Sequence, residues 1–416
     1  MSPQDNHRQG VIVTGAEEHQ GLAVVRGLGM RGVPVVACGS QPRSLAFYSR
    51  FATARHVYTS PFVDPRRFVD DILHIARTSG ARLIIPSVES TLVVLDDHRT
   101  EVEQQCRLAA PATETLEVAL DKLRTLELAE RVGVPAPKTV HGATGRAILE
   151  AAKGLRFPVS LKPRGHALYD KTKNALGFKV KYATTLEQLE GLLEPLGKNG
   201  VYPLVQEYAP GTGVCVAAVC DGGRPIALLP YRRVREVPLT GGVSVLRRSL
   251  PPDPRLNEYV TSLLGALRWH GVAMVEFRYH AATDRYVLME INGRFQASTA
   301  LSIDAGLNLP YLVYALYSGL PLERSYPYRP GVEERWLRGD VGSLLAALVG
   351  DTARSAIADP ERRLPSRPRL LLDFLRGFRP GMKYDEFRLN DPGPGLIECA
   401  EIGRAIFQFL RSRVRR

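Results

Sequence analysis

Four side chains near residue 290 have the types and the spacing that suit phosphoryl chemistry. Glu290, Asn292 and Arg294 alternate with other residues, and side chains two positions apart in a β-strand lie on one face of it. A neighbouring strand containing Glu276 would place a second carboxylate opposite them. Two carboxylates and an amide oxygen suit Mg²⁺, and an arginine beside them can stabilise a transferring phosphoryl group. The alternative is a solvated polar face of an edge hairpin.

Two lysines stand where a positive charge is unfavourable unless an anion is near. Lys162 ends the apolar run 159–161, and Lys122 follows Asp121 in the first turn of a predicted helix. A lysine in an apolar strand is costly unless it is paired, and a cation at a helix N-terminus opposes the helix dipole. Both positions therefore indicate a phosphate ligand. The alternative for Lys162 is a side chain that extends to water at the strand edge.

A group of arginines surrounds the glycine pair at 241–242. An arginine can bind a substrate carboxylate through two parallel hydrogen bonds. We expect Arg235, and after it Arg233, to clamp the substrate in this way. The alternative is that these are exposed charges on a strand.

The N-terminal part of the chain alternates short apolar runs with helical patterns, which predicts an open parallel α/β sheet. The apolar runs lie at 11–13, 33–37 and 83–86. Gly15 and Gly21 do not form the Gly-x-Gly-x-x-Gly fingerprint, and no acid closes the second run. A dinucleotide-binding redox domain is therefore disfavoured.

The rest of the chain predicts two further lobes built on antiparallel sheets. Asp121 is a helix N-cap, and the turn at 221–223 and the alternating runs around 276 and 290 indicate hairpins. The fold class is thus α/β followed by α+β. The predicted domains are 1–115 for the parallel sheet, 116–210 for a small lobe with lid and hinge, 211–325 for a large lobe with the metal site, and 326–416 for a helical C-terminal extension.

Composition narrows the class of protein. The net charge is +12, but basic residues are interleaved with acids, which favours a solvated surface over a nucleic-acid partner. The five cysteines are scattered, so we expect free thiols and no zinc knuckle. No apolar run reaches the roughly 18 residues needed to span a bilayer. The start of the sequence lacks a signal-peptide pattern, and we expect a cytoplasmic protein.

Four segments of the sequence, taken in chain order, resemble the ATP-grasp superfamily. The shared features are a lysine that opens a helix, a strand lysine before a glycine-containing loop, an acid before a hinge, and a final Glu…Glu-x-Asn-x-Arg pattern. They occur at 121–123, 161–163, 206–211 and 276–294. The resemblance covers roughly residues 10 to 310, and the run 233–244 is similar to the carboxylate–amine ligase branch that includes D-aspartate ligases.

The resemblance implies a role for each matching residue. ATP would be the nucleotide and Mg²⁺ the metal, with Mn²⁺ as the alternative ion. The implied phosphate ligands are Lys122 and Lys162. The implied adenine contacts are Gln206, Glu207 and the backbone of Tyr208 and Ala209. The implied metal ligands are Glu276, Glu290 and Asn292. The residues expected to act on the reacting groups are Arg294, Lys162 and Arg235.

The implied reaction is activation of a carboxylate by ATP and attack by an amine before water can intervene. Small-molecule carboxylate and amine substrates are the expected partners, a homodimer is compatible with the sequence, and residues 164–177 would form the lid. Two departures stand out: no acid lies at 213–216 to bind ribose, and the lid has only Gly165 and Gly177. The alternatives are a phosphotransferase that stops at an acyl or carbamoyl phosphate, and a non-catalytic nucleotide-binding assembly protein.

Overall fold

A computed structural model describes residues 9–165, 180–196, 202–237, 242–323, 325–349 and 365–414. Most of the predicted lid, residues 166–177, lies outside the described residues, as does the stretch 238–241 next to the arginine group. Among the helices described, none is both long and apolar enough to cross a membrane.

The N-terminal sheet is parallel, as predicted, because its apolar runs are buried on both faces. Its five strands pair in the order β3-β2-β1-β4-β5. They are β1 Val11–Thr14, β2 Val35–Gly39, β3 Ala54–Val57, β4 Leu83–Pro86 and β5 Arg107–Leu108. The α-helices of this region are His19–Gly29, Pro65–Ser79, Glu89–Asp97, Arg99–Glu103 and Thr113–Leu120, with a 3₁₀ turn at Leu45–Tyr48.

The small lobe contains a four-stranded antiparallel sheet of order β6-β9-β7-β8. Its strands are β6 Thr139–Val140, β7 Val159–Lys162, β8 Lys181–Ala183 and β9 Leu204–Glu207. Helices Gly145–Ala152 and Leu186–Leu196 pack on it. Ile148, Val159, Leu189 and Val205 belong to a core of this lobe's own.

The large lobe is built on a seven-stranded sheet of order β14-β13-β10-β11-β12-β15-β16. Its strands are β10 Thr212–Asp221, β11 Arg224–Val237, β12 Val243–Ser249, β13 Gly271–His280, β14 Arg285–Asn292, β15 Glu333–Arg335 and β16 Lys383–Tyr384. Its helices are Pro254–Ala266, Thr299–Asp304 and Leu309–Tyr317. The predicted turn between β10 and β11 forms, with Gly222 and Gly223 at positive φ, where glycine is favoured.

Two predicted boundaries need correction. The extension 326–416 is not purely helical, because β15 and β16 join the large-lobe sheet beside helices Leu337–Val349, Arg367–Leu375 and Gly393–Val414. The helix Lys122–Arg131, placed in the small lobe, contributes Leu128 and Ala129 to a core of the large lobe. Burial of the helix's apolar face, and not its place in the chain, decides which lobe it joins.

One apolar core joins the N-terminal sheet to the large lobe. It contains Val11 and Leu22 from the first unit together with Cys215 and Met274 from the large sheet. The helix Leu309–Tyr317 contributes to the same core. These two units therefore form one packed platform, and the small lobe rests on it with a separate core.

Candidate active site

The hairpin β13–β14 brings the predicted metal ligands together. Its register pairs Glu276 with Glu290 and Met274 with Asn292. Asn292 Nδ2 donates to Glu290 Oε1 at 3.0 Å, and Arg294 Nη2 donates to Asn292 Oδ1 at 3.3 Å. The four polar side chains expected from the sequence thus form one continuous row.

The two glutamates are close enough to disfavour each other's ionisation. Burial raises the pKa of the Glu276 carboxyl, Arg233 opposes this, and the charges of Glu290 and Glu236 raise it further. Arg233 Nη2 forms an ion pair with Glu276 Oε2, and Arg233 Nη1 lies 3.4 Å from Glu236 Oε1. A divalent cation would offset the remaining negative charge, and the oxygens present are the ligands that Mg²⁺ prefers. The donor set therefore fits the implied metal.

Lys162 enters this region from the small lobe. Its Nζ donates to Gln206 Oε1 at 2.7 Å across the β7–β9 pair. Burial lowers the pKa of the Lys162 ammonium to about 8, while Glu290 and Glu276 raise it and Lys122 lowers it. The charges of Lys122, Glu276 and Glu290 thus all act on the Lys162 ammonium. A phosphate bound there would stabilise the charged form of Lys162.

Lys122 is positioned by a helix cap, an ion pair and a backbone hydrogen bond at the start of its helix. Asp121 caps that helix, accepting from the backbone N–H groups of Leu123 at 3.0 Å and Arg124 at 3.3 Å. The Arg164 guanidinium binds the same carboxylate, with Nη2 to Oδ2 at 2.7 Å, and the Lys122 N–H donates to the Arg164 carbonyl at 3.0 Å. The first residue of the predicted lid is therefore tied to the helix that carries Lys122.

The hinge strand differs from the expectation at Glu207. Its carboxylate accepts hydrogen bonds from the Arg156 backbone N–H and Nη2, both at 2.9 Å. Burial raises the pKa of Glu207, but these Arg156 contacts lower it below its usual value. The Tyr208 N–H donates to the Pro158 carbonyl at 3.0 Å. The Glu207 side chain is thus held by Arg156, and adenine contact by Glu207 stays a prediction.

The remaining hinge groups also have partners within the protein. The Ala209 carbonyl accepts from Arg278 Nε at 3.3 Å, and Gln206 Nε2 donates to Thr139 Oγ1 at 3.0 Å. Gln206 thus links the hinge strand to Lys162 through its other amide atom. Adenine contact by Gln206 and by the Ala209 backbone stays a prediction.

Arg235, the expected substrate clamp, has its partners within the protein in this structure. Its Nη1 contacts both carboxylate oxygens of Asp340, at 2.6 Å and 2.5 Å, and its Nη2 donates to the Asp373 carbonyl at 3.0 Å. The β11–β12 pairing is irregular on both sides of Arg235, so the two-residue period that relates it to Arg233 is broken. Arg233 contacts the metal-site glutamate, while Arg235 holds the C-terminal extension.

The N-terminal sheet supplies two acids that the sequence did not assign. Glu18 follows β1 and Glu89 begins the helix after β4, and β1 and β4 are neighbours at the point where the strand order reverses. Ligands of open α/β sheets bind at the carboxyl ends of strands at such a point. Glu89 Oε2 lies 4.0 Å from Arg294 Nε. Burial and the charge of Glu17 raise the pKa of Glu18, and the charges of Arg338 and then Arg294 lower it.

The architecture resembles several solved structures. The biotin carboxylase of Campylobacter jejuni has 16% identity and a TM-score of 0.62, over 80% of this chain and 75% of that chain. The biotin carboxylase domain of 2-oxoglutarate carboxylase from Hydrogenobacter thermophilus, solved with MgADP and bicarbonate, has 17% identity and a TM-score of 0.61, over 78% of this chain and 73% of that chain.

A third structure adds a different enzyme. The N5-carboxyaminoimidazole ribonucleotide synthetase of Thermus thermophilus has 21% identity and a TM-score of 0.58, over 78% of this chain and 81% of that chain. The chain therefore shares the fold of these structures, in which a parallel sheet is followed by two antiparallel lobes.

A more particular likeness comes from the sequence of the large lobe. Residues 201–339 match the family described as ATP-grasp in the biosynthetic pathway with Ter operon. This stretch contains the hinge, the β13–β14 hairpin and Arg294. No curated protein matches the sequence significantly.

Proposed function

We propose that this protein is an ATP-dependent ligase that joins a carboxylate to an amine through an acyl phosphate. One observation carries the proposal: the Lys162 ammonium of the small lobe interacts electrostatically with Glu276 and Glu290 of the large-lobe hairpin, where Asn292 holds Arg294. Such a set can bind a triphosphate, neutralise its charge and stabilise a phosphoryl group in transfer.

The reaction proceeds in two steps with a shared intermediate. An oxygen of the substrate carboxylate attacks the γ-phosphorus of ATP, the bond to the β-phosphate oxygen breaks, and ADP leaves. The amine then attacks the carbonyl carbon of the acyl phosphate, phosphate leaves with the bonding electrons, and the nitrogen loses its proton. Closure of the site prevents water from competing with the amine.

Each residue has a defined task in this scheme. Lys122 and Lys162 bind phosphate oxygens, and Glu276, Glu290 and Asn292 would hold Mg²⁺, which supplies charge neutralisation and orientation. Arg294 is held by Asn292 and stabilises the negative charge that develops on the phosphoryl group. Arg233 keeps Glu276 in place through their ion pair.

The surroundings of Arg294 favour a separate position for each of the two substrates. On one side lies the metal-site row, and on the other lie Glu89 and Glu18 of the N-terminal sheet. A carboxylate would bind between Arg294 and the γ-phosphate, because Arg294 offers it a cation beside the row of Glu276, Glu290 and Asn292. The amine would approach from the side of Glu89, since the Glu89 carboxylate attracts the amine substrate while that substrate is still a protonated ammonium group.

The setting of the reaction follows from its nucleotide and from the family match. Since ATP is the energy source, we expect the protein to work in the cytoplasm, within a biosynthetic pathway like that named for the matched family. A homodimer stays a prediction, which light scattering of the purified protein tests.

A phosphate-release screen tests the proposed function. The purified protein with ATP and Mg²⁺ is offered carboxylates and amines singly and in pairs, including amino acids, with bicarbonate as a separate carboxylate donor. We expect ADP and phosphate to form in equal amounts only when an active pair is present, and mass spectrometry to detect the amide. The matched control is Glu290→Gln, which should bind ATP yet release no phosphate.

Two results would count against the ligase. Release of AMP and pyrophosphate would indicate adenylation and not an acyl phosphate. Turnover with a carboxylate alone, unaffected by any amine and giving a stable phosphorylated product, would indicate the phosphotransferase instead.

A further inference from the structure

A second group of metal-binding side chains lies outside the proposed nucleotide site. His19 begins the helix after β1, while Asp385 and Glu386 follow β16 in the C-terminal extension. We call these three residues the His19 cluster. Their side chains are 8%, 3% and 0% exposed, and one ligand atom from each lies within 4.8 Å of the others. They are therefore adjacent in space although they come from opposite ends of the chain.

Four buried polar atoms of the His19 cluster make no hydrogen bond of normal geometry. They are His19 Nδ1, Asp385 Oδ2 and both carboxylate oxygens of Glu386. Buried polar atoms are nearly always paired, and leaving one unpaired costs about 1–3 kcal/mol. Four such atoms converging on one place indicate a missing ligand and not a single packing fault.

The spacing of these atoms suits one metal ion. His19 Nδ1 lies 3.2 Å from Glu386 Oε1 and 4.0 Å from Asp385 Oδ2. Ligands about 2.0–2.1 Å from a tetrahedral Zn²⁺ are about 3.3 Å from each other. The cluster therefore needs only small side-chain shifts to enclose an ion.

Neighbouring groups orient the ligands as they do in metal sites. Arg247 forms an ion pair with Asp385 Oδ1, which leaves Oδ2 for the cluster. The indole of Trp336 packs on the His19 imidazole with ring centroids 4.7 Å apart. Such outer contacts fix the direction of metal ligands.

The local charge balance also favours a divalent cation. Glu334 and Glu398 are buried beside the cluster, at 0% and 3% exposure. With Asp385 and Glu386 they make four carboxylates when ionised, whereas the adjoining cations are Arg247 and Arg338. A third guanidinium, Arg388, pairs with Asp304 and also lies 3.7 Å from Glu334, so five ionised carboxylates would face three guanidinium groups. Two negative charges remain, and burying them unpaired is costly.

From this geometry we propose that the His19 cluster is a structural site for a first-row divalent ion of the Zn²⁺ class, which ties the C-terminal extension to the N-terminal sheet. An imidazole nitrogen with carboxylate oxygens suits Zn²⁺ and its neighbours better than Mg²⁺, which takes oxygen ligands. The site adjoins Glu18, the residue before His19 at the carboxyl end of β1, so the ion would stabilise this edge of the N-terminal sheet. The proposal does not depend on the ligase activity.

Zinc binding by the whole chain, without nucleotide, tests this assignment. The Glu290→Gln protein is used as background, to weaken binding at the nucleotide site, and is stripped with chelator. ZnCl₂ is then titrated against a fluorescent zinc indicator. We expect one tight ion per chain, and adding His19→Gln or Glu386→Gln should weaken it at least about tenfold. The matched control is His270→Gln, which removes a His–Asp pair on the surface and should leave the affinity unchanged.

Thermal unfolding separates a metal ligand from a purely structural acid. In chelator, Glu386→Gln should unfold at the same temperature as the background or higher, because it removes an unpaired buried carboxylate. With ZnCl₂ the background should gain stability and Glu386→Gln should not. Equal zinc affinity or an equal zinc-dependent shift in Tm in the two proteins would overturn the proposal.

Diffraction gives a test that needs no variant. Crystals of the unmodified protein grown with ZnCl₂ should show an anomalous peak at the zinc edge between His19 Nδ1 and Glu386. A water molecule at that point, or an anomalous peak only at Glu276 and Glu290, refutes the site.

Discussion

Replacing Arg294 by methionine should slow turnover while leaving ATP affinity almost unchanged. Arg294 is oriented before any reaction by Nη2 on Asn292 Oδ1 at 3.3 Å and by Nη1 on the Phe295 carbonyl at 3.1 Å. A guanidinium fixed in this way stabilises the moving phosphoryl charge more than the resting triphosphate. Its loss should therefore appear in kcat and not in nucleotide binding.

The size of the effect follows from the exposure of the side chain. Loss of one preorganised donor costs about 2.7–4 kcal/mol, or roughly 10²–10³ in kcat. Because the Arg294 side chain is 21% exposed, water can replace part of that stabilisation, and we expect the lower end, about a hundredfold. Arg294→Lys keeps the charge but loses the forked guanidinium donors, and its kcat should lie between those of the wild type and Arg294→Met.

The assay compares two variants in two measurements. Steady-state phosphate release gives kcat, and calorimetric titration gives ATP affinity. Lys162→Met should lose about tenfold to a hundredfold in ATP affinity, since a hydrogen bond to a charged group contributes about 1.5–3 kcal/mol. If Arg294→Met loses ATP affinity as severely as Lys162→Met, the division of roles between the two residues is refuted.

Three further predictions rest on the same site. With a pKa of about 8, Lys162 of the free protein must take up a proton to bind ATP above pH 8, so ATP affinity in EDTA should fall as pH rises, whereas Lys162→Arg should show no such fall. Calorimetry in buffers of different ionisation enthalpy measures the proton uptake, and a flat wild-type profile contradicts the prediction. Glu89→Gln should raise the KM of the amine several-fold with ATP affinity unchanged, and an unaltered KM would remove Glu89 from the amine site. Arg235→Ala should lower the free energy of unfolding by about 1–3 kcal/mol, because Asp340 then loses one of its two arginines, while kcat stays near normal; a stable protein with collapsed kcat would restore the clamp.

The row of Glu276, Glu290, Asn292 and Arg294 could be predicted from the sequence because its geometry is local. Glu290, Asn292 and Arg294 share a strand face through the two-residue period alone. Glu276 reaches them through a hairpin whose short turn lies within the same stretch of sequence. Distances set by one hairpin depend little on the rest of the fold, and the pattern therefore survives from sequence to structure.

The arginine clamp could not be assigned from the sequence because it depends on strand irregularities. Between Arg233 and Glu236 the pairing of β11 shifts twice. Each shift changes which face a side chain occupies. No residue type in this stretch signals a bulge, so equal spacing suggested equal roles for two arginines that have different partners.

The strands of the C-terminal extension could not be predicted from the sequence for a related reason. Glu333, Glu334 and Arg335 form β15, a run without one apolar side chain. They are buried because Arg247, Arg248 and Asp340 provide opposite charges from other elements. A strand stabilised by long-range ion pairs leaves no hydrophobic period to detect.

By itself the sequence determined the parallel N-terminal sheet, the antiparallel lobes and the row from Glu290 to Arg294, since these follow from local periodicity and turn residues. Only the tertiary structure decided that Arg294 lies beside Glu89, and that His19 lies beside Asp385 and Glu386. Those contacts join segments that are far apart in the chain. Their geometry is set by how the sheets pack on a shared core, which no local pattern specifies.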